Sequence, residues 1–367
     1  MRLSRRILAG AATMSAAAMA LILAVPAYAV ATANWQVVYA HHYGGPRSYS
    51  SYTAIAALGP SDVWVFGGTN VMDGKTGQPV AVNWNGTSWQ RSPLPSGLTS
   101  SVVAASAVSP ADIWAVTQFG ADILHWNGTQ WSVAKHIPDP NGVAGPGAMS
   151  GITALTDRDV WAFGASTGAG PGLSSWHFDG KSWTKLTTSG DGGFNVTASP
   201  VSATDIWAIA DTDTAPVDTL TQYDGTSWQT VSATPLAGLN FSGIVAQPAD
   251  DVWLSASKNS TSYLLHLSGG QWTQLSSPWP GIALGAIAPD GQGGIWVTGY
   301  GAATSGGSAH AWMLHLSASG HWSRVAFPHS DLAALALVPG GTSAVAAGSI
   351  IGTSRSRAVV WATGPLG

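Results

Sequence analysis

Short apolar runs separated by turn residues recur along almost the whole chain. One copy of the repeating unit extends from Ser109 to Trp131 and has two halves, Ser-Pro-Ala-Asp-Ile-Trp-Ala-Val and then Leu-His-Trp-Asn-Gly-Thr-Gln-Trp. The runs are nearly continuous and rich in β-branched and aromatic residues, with little alternation between apolar and polar positions. Such runs predict β-strands that are covered by protein on both faces.

The first half of the unit is centred on a tryptophan that recurs at nearly regular intervals. Its copies are Trp64, Trp114, Trp161, Trp207, Trp253 and Trp296, and a degenerate seventh copy is centred on Val345. Successive copies are 43 to 50 residues apart. A repeat of about 40 to 50 residues is the length of a four-stranded propeller blade.

The second half of the unit contains an Asn-Gly or Asp-Gly pair in the copies at Asn85-Gly86, Asn127-Gly128, Asp179-Gly180 and Asp224-Gly225. Because both central residues of a type I′ turn need positive φ, these pairs predict tight hairpins between the third and fourth strands of a blade. The Ser-Pro-x-Asp stretch ahead of the first-half tryptophan predicts the turn between the first and second strands, with proline presetting φ.

The copy numbers of the two halves predict how the ring closes. The first half occurs seven times but the second half only six, because the chain ends in an apolar strand around Trp361. The missing strand matches Asn34 to Val38, in which Trp35 takes the place of a second-half tryptophan. We therefore predict an all-β fold, a closed seven-bladed β-propeller whose last blade is completed by the N-terminal strand. In this alignment Trp361 shares a third-strand position with Trp84 and Trp126.

Two polar positions recur with the repeat and resemble ligand sites. On the third strand they are Asn83, His125, His177, Gln222, His266 and His315, with Val360 in the last blade. We interpret this set as hydrogen bonds between blades; a ring of equivalent ligand contacts is the alternative. The aspartates two residues ahead of the tryptophans are Asp62, Asp112, Asp159, Asp205 and Asp251. We interpret them as caps of the adjacent turn, because an aspartate side chain can bond the amides of its own turn.

The first 29 residues have the features of an export signal. Arg2, Arg5 and Arg6 precede an apolar run, and Ala27-Tyr28-Ala29 is a small-x-small cleavage site. We predict a signal peptide at 1–29, a propeller at 30–367, and a secreted or extracytoplasmic protein without a stable membrane span after cleavage. Export by the general or the twin-arginine route stays open, and so does retention of the apolar run as an anchor.

Composition narrows the classes of function. All 18 acidic residues are aspartate, which favours turns over helices and fits an all-β chain. Without the three leader arginines, 11 of the 14 basic residues remain against 18 acidic ones, a net charge of −7 that argues against a nucleic-acid partner. The chain has no cysteine and therefore no disulfide. We expect a monomer without a cofactor or a metal.

The connections between blades, and those between second and third strands, vary in length and composition. By up-and-down topology they share one face of the disc, here called the variable face, and the short repetitive turns share the other, the turn face. Loops on a rigid scaffold commonly carry function, so we place the binding site on the variable face. The candidate ligand-binding residues are His42, Tyr43, Arg47, Asp211, Asp213, Trp279, Tyr300, Arg355 and Arg357.

Two groups among these residues suggest specific chemistry. Arg355 and Arg357 are paired cations on one loop and could bind an anionic ligand. Asp211 and Asp213, with Asp218 nearby, are an acidic cluster, but their spacing matches no calcium-binding loop and a solvated loop is favoured. No residue is assigned a catalytic role.

The two halves together resemble the blades of secreted bacterial propellers that read Ser-Pro-x-Asp-Val-Trp-Ala-Val-Gly and Trp-Asp-Gly-Thr-Ser-Trp, and this resemblance covers residues 34–363. The chain is also similar to tectonin-type lectin repeats, and its Asp-Gly-x-x-Trp turns resemble the Asp-box of sialidases with one residue missing. These resemblances imply the propeller fold. Sialidases usually need a glutamate and galactose-oxidase-type propellers need a cysteine, and this chain has neither.

We therefore expect a secreted, non-catalytic binding or scaffold propeller that recognises a glycan or an extracellular protein through its variable face. The alternative is a hydrolase or lyase that acts on polysaccharide, with two carboxylates among Asp211, Asp213 and Asp218 about 5 to 9.5 Å apart as acid and base. A third hypothesis is a structural spacer of surface assemblies. The fold alone does not decide among them.

Overall fold

The computed structural model describes residues 34–45, 48–69, 77–119, 121–137, 149–164, 175–186, 193–212, 218–248, 250–301, 310–353 and 355–366. Within these ranges the chain is all-β, with 28 strands in seven four-stranded antiparallel sheets and one 3₁₀ turn at Thr234–Leu236. No helix in the same ranges is long and apolar enough to cross a membrane.

Each sheet is one blade. After the N-terminal strand β1 (Gln36–His41), blade one comprises β2 (Ser50–Gly59), β3 (Asp62–Thr69), β4 (Gln78–Trp84) and β5 (Trp89–Ser92). Blades two and three comprise β6 (Val102–Ser109), β7 (Asp112–Thr117), β8 (Asp122–Trp126), β9 (Trp131–His136), β10 (Met149–Thr156), β11 (Asp159–Gly164), β12 (Trp176–Phe178) and β13 (Trp183–Lys185). Blades four and five comprise β14 (Gly193–Ser202), β15 (Asp205–Thr212), β16 (Thr219–Tyr223), β17 (Trp228–Thr230), β18 (Asn240–Gln247), β19 (Asp251–Lys258), β20 (Thr261–Ser268) and β21 (Gln271–Ser276). Blades six and seven comprise β22 (Ile282–Pro289), β23 (Ile295–Gly301), β24 (His310–Leu316), β25 (Trp322–Phe327), β26 (Ser330–Leu337), β27 (Ala344–Ile351) and β28 (Ser356–Ala362), with β1 as the eighth strand.

The seven blades form a ring. The first strand of each blade contacts the first strands of the two neighbouring blades, and β26 contacts β2 in the same way. The outermost position of blade seven is taken by β1, which pairs antiparallel with β28 and places Val37 opposite Trp361. Because β1 begins on the turn face and β28 ends there, both ends of the described chain, Asn34 and Leu366, lie on that face.

The predicted hairpins between the third and fourth strands are present, but the prediction of type I′ turns is wrong. Only the glycine of each Asx-Gly pair has a positive φ, and the loop spans four residues, as from Asn85 to Ser88. The glycines of these turns, which share φ values of 86° to 90°, are Gly86, Gly128, Gly180 and Gly225. In the first turn the side-chain oxygen of Asn85 accepts hydrogen bonds from the amides of Thr87 and Ser88, at 3.0 and 2.9 Å. Each turn of this kind satisfies its own amides, as its Asx-Gly sequence predicts.

Tryptophans from the two halves of the repeat meet between blades. The second-strand tryptophan of one blade packs edge-to-face against the fourth-strand tryptophan of the next. These pairs, with ring centroids 5.4 to 6.4 Å apart, are Trp64–Trp131, Trp114–Trp183, Trp161–Trp228, Trp207–Trp272 and Trp296–Trp35. Edge-to-face pairs contribute about 0.5–1.5 kcal/mol each beyond the area that they bury. Trp35 extends this set of contacts to the N-terminal strand.

At six of the seven junctions, the described residues include a hydroxyl group of one blade that bonds to the inner strand of the next. These hydroxyl groups bond backbone groups across the junction. The bonded pairs are Thr53 with Val102, Ser106 with Ala154, Ser199 with Ala246, Ser255 with Gly285, Tyr300 with Leu332 and Ser356 with Ser50. Buried backbone groups need hydrogen-bond partners, and these side chains supply them where two sheets meet.

The structure corrects the roles predicted for the repeated polar residues. Each aspartate accepts a hydrogen bond of 2.8 to 2.9 Å from the third strand of its own blade, in the pairs Asn83–Asp62, His125–Asp112, His177–Asp159, Gln222–Asp205, His266–Asp251 and His315–Asp290. The bonds lie within blades, so the prediction of bonds between blades is wrong. The adjacent turns are capped by hydroxyl groups instead, at Ser109, Thr156 and Ser202.

Blade six has the same bond between an aspartate and the third strand, but its aspartate comes from a different position in the repeat. Gly294 stands two residues before Trp296, where other blades have the aspartate, and Asp290 supplies the carboxylate from four residues earlier. One oxygen of Asp290 accepts the bond from His315, and the other accepts the amides of Gln292 and Gly294 at 2.7 Å each. Here alone among these carboxylates, within the described residues, the predicted turn capping is observed.

Blade seven departs from the predicted alignment on its third strand. In other blades the third-strand polar residue pairs with the second-strand tryptophan. The residue that pairs with Val345 is Ala362, so Ala362 and not Val360 occupies the polar position. Trp361 therefore does not share the position of the other third-strand tryptophans, and it packs instead against Phe327 with ring centroids 5.5 Å apart.

Candidate functional site

All seven inner strands carry a β-bulge near the variable face. The extra residues are Thr53, Val103, Ser150, residues 194–195, Ser242, residues 285–286 and Ala333. Bulges are frequent at sheet rims and beside binding sites, because they redirect side chains and sharpen the local twist. The regular blade geometry therefore changes at the end of the inner strands where the variable connections begin.

Three of the candidate residues are described in part or not at all. Arg47 and Asp213 lie outside the described residues, and of Asp211 only the backbone is described, within β15. Asp218, the third member of the acidic cluster, accepts a hydrogen bond from the amide of Phe241. This bond ties the start of β16 to the inner strand of the next blade.

His42 and Tyr43 lie in the connection from blade seven to blade one and are held by hydrogen bonds. The two ring nitrogens of His42 are each 2.9 Å from a carbonyl oxygen, Nδ1 from that of Ser356 and Nε2 from that of Gly45. Carbonyl oxygens only accept, so a neutral imidazole can make one of these bonds but not both. Tyr43 is 6% exposed, its hydroxyl is 2.7 Å from that of Tyr52, and burial raises the pKa of both phenols.

Arg355 lies on the connection between the second and third strands of blade seven, Arg357 is the second residue of β28, and both side chains are exposed. The amide of Gly352 donates to the Arg355 carbonyl at 2.8 Å and closes this hairpin. Beside it, Ile351 is 47% exposed and donates its amide to the carbonyl of His329. Within the described part of the chain, neither guanidinium forms an ion pair with an aspartate.

Tyr300 and Asp331 meet at the junction between blades six and seven. The Tyr300 hydroxyl donates to the Leu332 carbonyl and is also hydrogen-bonded to the Asp331 carboxyl. Burial raises the pKa of Asp331 above the ordinary aspartate value, and burial likewise raises the pKa of Tyr300. Asp331 therefore keeps its proton to a higher pH than a surface aspartate.

Two histidines that no sequence motif marked, His310 and His329, lie close together at the variable face, with ring centroids 6.5 Å apart. The backbone of His329 has a φ of 54°, in the left-handed region that costs a non-glycine residue about 1–2 kcal/mol. His329 lies four residues before the bulge of the following inner strand, and two other connections have a glycine at that position, Gly238 and Gly281, with φ values of 74° and 77°. Alignment of the repeats could have identified His329, because it is a histidine where other connections have glycine.

Trp279 lies against a cation. The Arg324 guanidinium is 5.0 Å from the centre of the Trp279 ring and 4.4 Å from that of Trp312, so it covers both rings. Two further aromatic rings are covered in the same way, Trp176 by Lys135 at 4.9 Å and Tyr43 by Arg91 at 5.5 Å. Cation–π contacts of this kind stabilise the rings but leave less of their faces for a ligand.

Two open grooves lie at equivalent places on the rims of blades one and four. The first has a volume of about 420 Å³ and is bounded by Gln78, Arg91 and the connection from Pro93 to Leu98. The second, of about 220 Å³, is bounded by Thr219, Thr230 and the connection that contains the 3₁₀ turn. The described residues contain no group of three or more histidine and aspartate side chains that could hold a metal ion.

Charge is divided unevenly between the two faces. The aspartates described on the turn face are Asp62, Asp112, Asp157, Asp159, Asp179, Asp205, Asp224, Asp250, Asp251 and Asp290. Of the described lysines and arginines, only Arg158 and Lys181 lie on that face. The turn face is therefore acidic, whereas Arg355, Arg357 and Lys258 lie at the variable face. Such a separation orients a charged partner before contact.

No protein-family model and no curated protein matches the chain. Solved structures match it over most of its length. They include a catalytically inactive variant of virginiamycin B lyase from Staphylococcus aureus with quinupristin (12% identity, 89% of this chain and 99% of that chain, TM-score 0.58). They also include YCF48 bound to D1 peptide (14% identity, 88% and 99%, TM-score 0.56) and YCF48 from Cyanidioschyzon merolae (13% identity, 89% and 97%, TM-score 0.56). At these identities the similarity shows the β-propeller fold alone.

Proposed function

We propose that this chain is a non-catalytic binding propeller that holds a protein partner on its variable face, outside the cytoplasm. The observation that carries the proposal is the contrast between the two faces. The turn face repeats one set of Asp-to-third-strand bonds from blade to blade, whereas the connections of the variable face differ in length and residues. A surface that differs between blades can recognise one partner, and the rigid sheets keep it preorganised.

The covered aromatic rings favour a protein partner over a glycan. Sugars commonly bind by stacking on an exposed aromatic face, and among the described side chains Phe119 is the only phenylalanine, tryptophan or tyrosine that is exposed. Arg324 already occupies the faces of Trp279 and Trp312. The exposed apolar side chains of the variable face are instead Phe119, 57% exposed, and Ile351, which are suited to contact apolar protein groups.

Two further observations support this choice. A solved structure with the same fold, YCF48, carries a bound peptide, so a scaffold of this kind can hold one. Asp218 is engaged with the Phe241 amide, and no described contact favours the alternative of polysaccharide cleavage by paired aspartates. The extracytoplasmic location is proposed on the leader-like features of residues 1–29 alone.

Site-specific photo-crosslinking tests the proposal. A photoreactive amino acid is placed at Phe119 or Ile351 on the variable face, or at the exposed turn-face residues Lys181 or Thr226 as matched controls. The four proteins are irradiated in the producing culture. The purified adducts are then analysed by mass spectrometry of their tryptic peptides and by their mass before and after treatment with glycosidases.

We expect adducts that contain peptides of a second protein from the variable-face positions and none from the controls. Adducts that form only at the turn-face positions would refute the use of the variable face. Adducts that glycosidases return to the mass of the free propeller, and that contain no peptide of a second protein, would show that the partner is a glycan. The absence of adducts at all four positions would remove the support for a binding function.

A further inference from the structure

A row of basic side chains crosses the variable face from blade six to blade one. We call it the basic strip, and its members are His310, His329, Arg355, Arg357 and His42. They come from three different connections and from the first residues of two third strands. The row is therefore built by the fold and is not visible as a run of charge in the sequence.

Contacts between neighbouring segments make the first part of the strip continuous. The rings of His310 and His329 are 6.5 Å apart between centroids, which joins the start of β24 to the connection that leads into blade seven. The carbonyl of His329 then accepts the amide of Ile351 at 2.6 Å, which joins this connection to the hairpin of blade seven.

The second part of the strip is joined in the same manner. Arg355 lies across that hairpin from Gly352, and Ser356 separates Arg355 from Arg357. The carbonyl of Ser356 is 2.9 Å from Nδ1 of His42, so His42 lies directly beside the two arginines. The segments that carry the strip are thus joined across the last junction of the ring.

The positive charge of the strip is weakly opposed. No ion pair within the described residues involves Arg355 or Arg357. The aspartate nearest in the chain to His329 is Asp331, which is half-buried. The ring nitrogens of His42 are each 2.9 Å from a carbonyl oxygen, and no ion pair in the described part of the chain involves His42.

The backbone of His329 gives a second, independent indication. Its left-handed conformation is strained for histidine. At the same position two earlier connections have glycine, which adopts this conformation without strain. Strain of this kind is retained mainly where the side chain has a use. The His329 side chain is the one that extends the strip towards His310.

We propose that the basic strip docks an acidic peptide segment of the partner, with its carboxylates against Arg355 and Arg357 and an apolar side chain on Ile351. This inference rests on the proposed function and names the chemistry of the partner. The acidic turn face repels the same segment, so the partner approaches the variable face in one orientation.

Fluorescence anisotropy with defined peptides tests the inference on the purified protein. The probe is a labelled Gly-Glu-Glu-Leu-Leu-Glu-Glu-Gly peptide, and its control has glutamine in place of every glutamate. The variant is Arg355→Gln with Arg357→Gln. The matched control is Arg158→Gln with Lys181→Gln, which removes the same charge from the turn face.

We expect the acidic probe to bind more tightly than the glutamine peptide. The Arg355/Arg357 variant should weaken binding about 10-fold, as expected for the loss of two partly exposed charge contacts. The Arg158/Lys181 control should change binding by less than about 2-fold. Raising the salt concentration from about 0.05 to about 0.5 M should weaken the binding of the acidic probe and not that of the glutamine peptide.

Equal binding of the two peptides, or equal loss in the two double variants, would overturn the inference. If the acidic probe fails while variable-face crosslinks to a protein are found, the acidic chemistry is wrong and the proposed function stands. If a polyanionic glycan such as heparin binds and loses affinity in the Arg355/Arg357 variant while the peptide does not bind, the partner is not an acidic peptide. If both the probe and the crosslinks fail, the proposed function fails with it.

Discussion

The bond between His315 and Asp290 gives the most specific prediction about stability. The two residues are 9% and 6% exposed, and Nε2 of His315 is 2.8 Å from Oδ2 of Asp290. In His315→Leu this buried carboxylate oxygen loses its donor, which costs about 1.5–3 kcal/mol for a charged hydrogen bond. The ring also stacks on Trp296 at 4.1 Å, and its loss adds about 0.5–1.5 kcal/mol.

Blade four provides the matched replacement. There Gln222 takes the histidine's position opposite Trp207 and donates to Asp205 at 2.9 Å. His315→Gln should therefore keep the bond to the carboxylate and lose only the stacking, at a cost of about 0.5–1.5 kcal/mol. We expect His315→Leu to be less stable than His315→Gln by about 1.5–3 kcal/mol.

Urea unfolding followed by tryptophan fluorescence measures the free energy of unfolding of the two variants. His321→Leu, at an exposed histidine of the same blade, is the control and should change stability by less than about 0.5 kcal/mol. If the leucine and glutamine variants are equally destabilised, the carboxylate does not depend on a donor from the third strand and the reasoning is refuted.

Three further predictions concern single residues. Gly294→Ala should lower the free energy of unfolding by about 1–3 kcal/mol, because the added methyl group would lie 2.3 Å from the Asp290 carboxylate. The control Gly59→Ala, where the added methyl group meets open space, should lower it by less than about 0.5 kcal/mol. Urea unfolding compares the two variants. His329→Gly should be more stable than His329→Ala by about 1 kcal/mol, because glycine adopts a positive φ without strain, and equal unfolding midpoints would contradict this. Burial raises the pKa of Asp331 in the folded state, so its stabilising contribution is complete below the unfolded pKa of about 4 and is lost as the pH rises through the raised value. The unmodified protein should thus lose stability relative to Asp331→Asn as the pH rises above about 4, and parallel pH profiles of unfolding would exclude this role.

The blade architecture could be predicted because its signals are local. An Asn-Gly pair such as Asn85-Gly86 indicates a hairpin from two residues, although only the glycine has a positive φ and the turn is therefore not of type I′. The roles of the repeated aspartates could not be predicted in this way, because their donors lie on another strand. Asp290 shows the difficulty, since its carboxylate fills the usual place from a different position in the chain.

Less of the candidate site could be predicted. The sequence marked Arg355 and Arg357 as a pair on one loop and His42 on another, and the structure brings His42 to this pair through the carbonyl of Ser356. His329 carried no motif, because its distinction is a backbone conformation that becomes evident only beside the glycines of other blades. Tyr43 shows the opposite case, since its ring is buried although its loop sequence is polar.

The position of the two ends of the described chain has a practical consequence. Asn34 and Leu366 lie on the turn face, at the start of β1 and beyond the end of β28. A protein immobilised on a sensor chip by an affinity tag at either end would therefore direct its acidic side towards the support and leave the loops open to the flowing analyte. Coupling through surface lysines would mix the orientations, so end-tethering is the geometry in which weak capture by the loops becomes measurable.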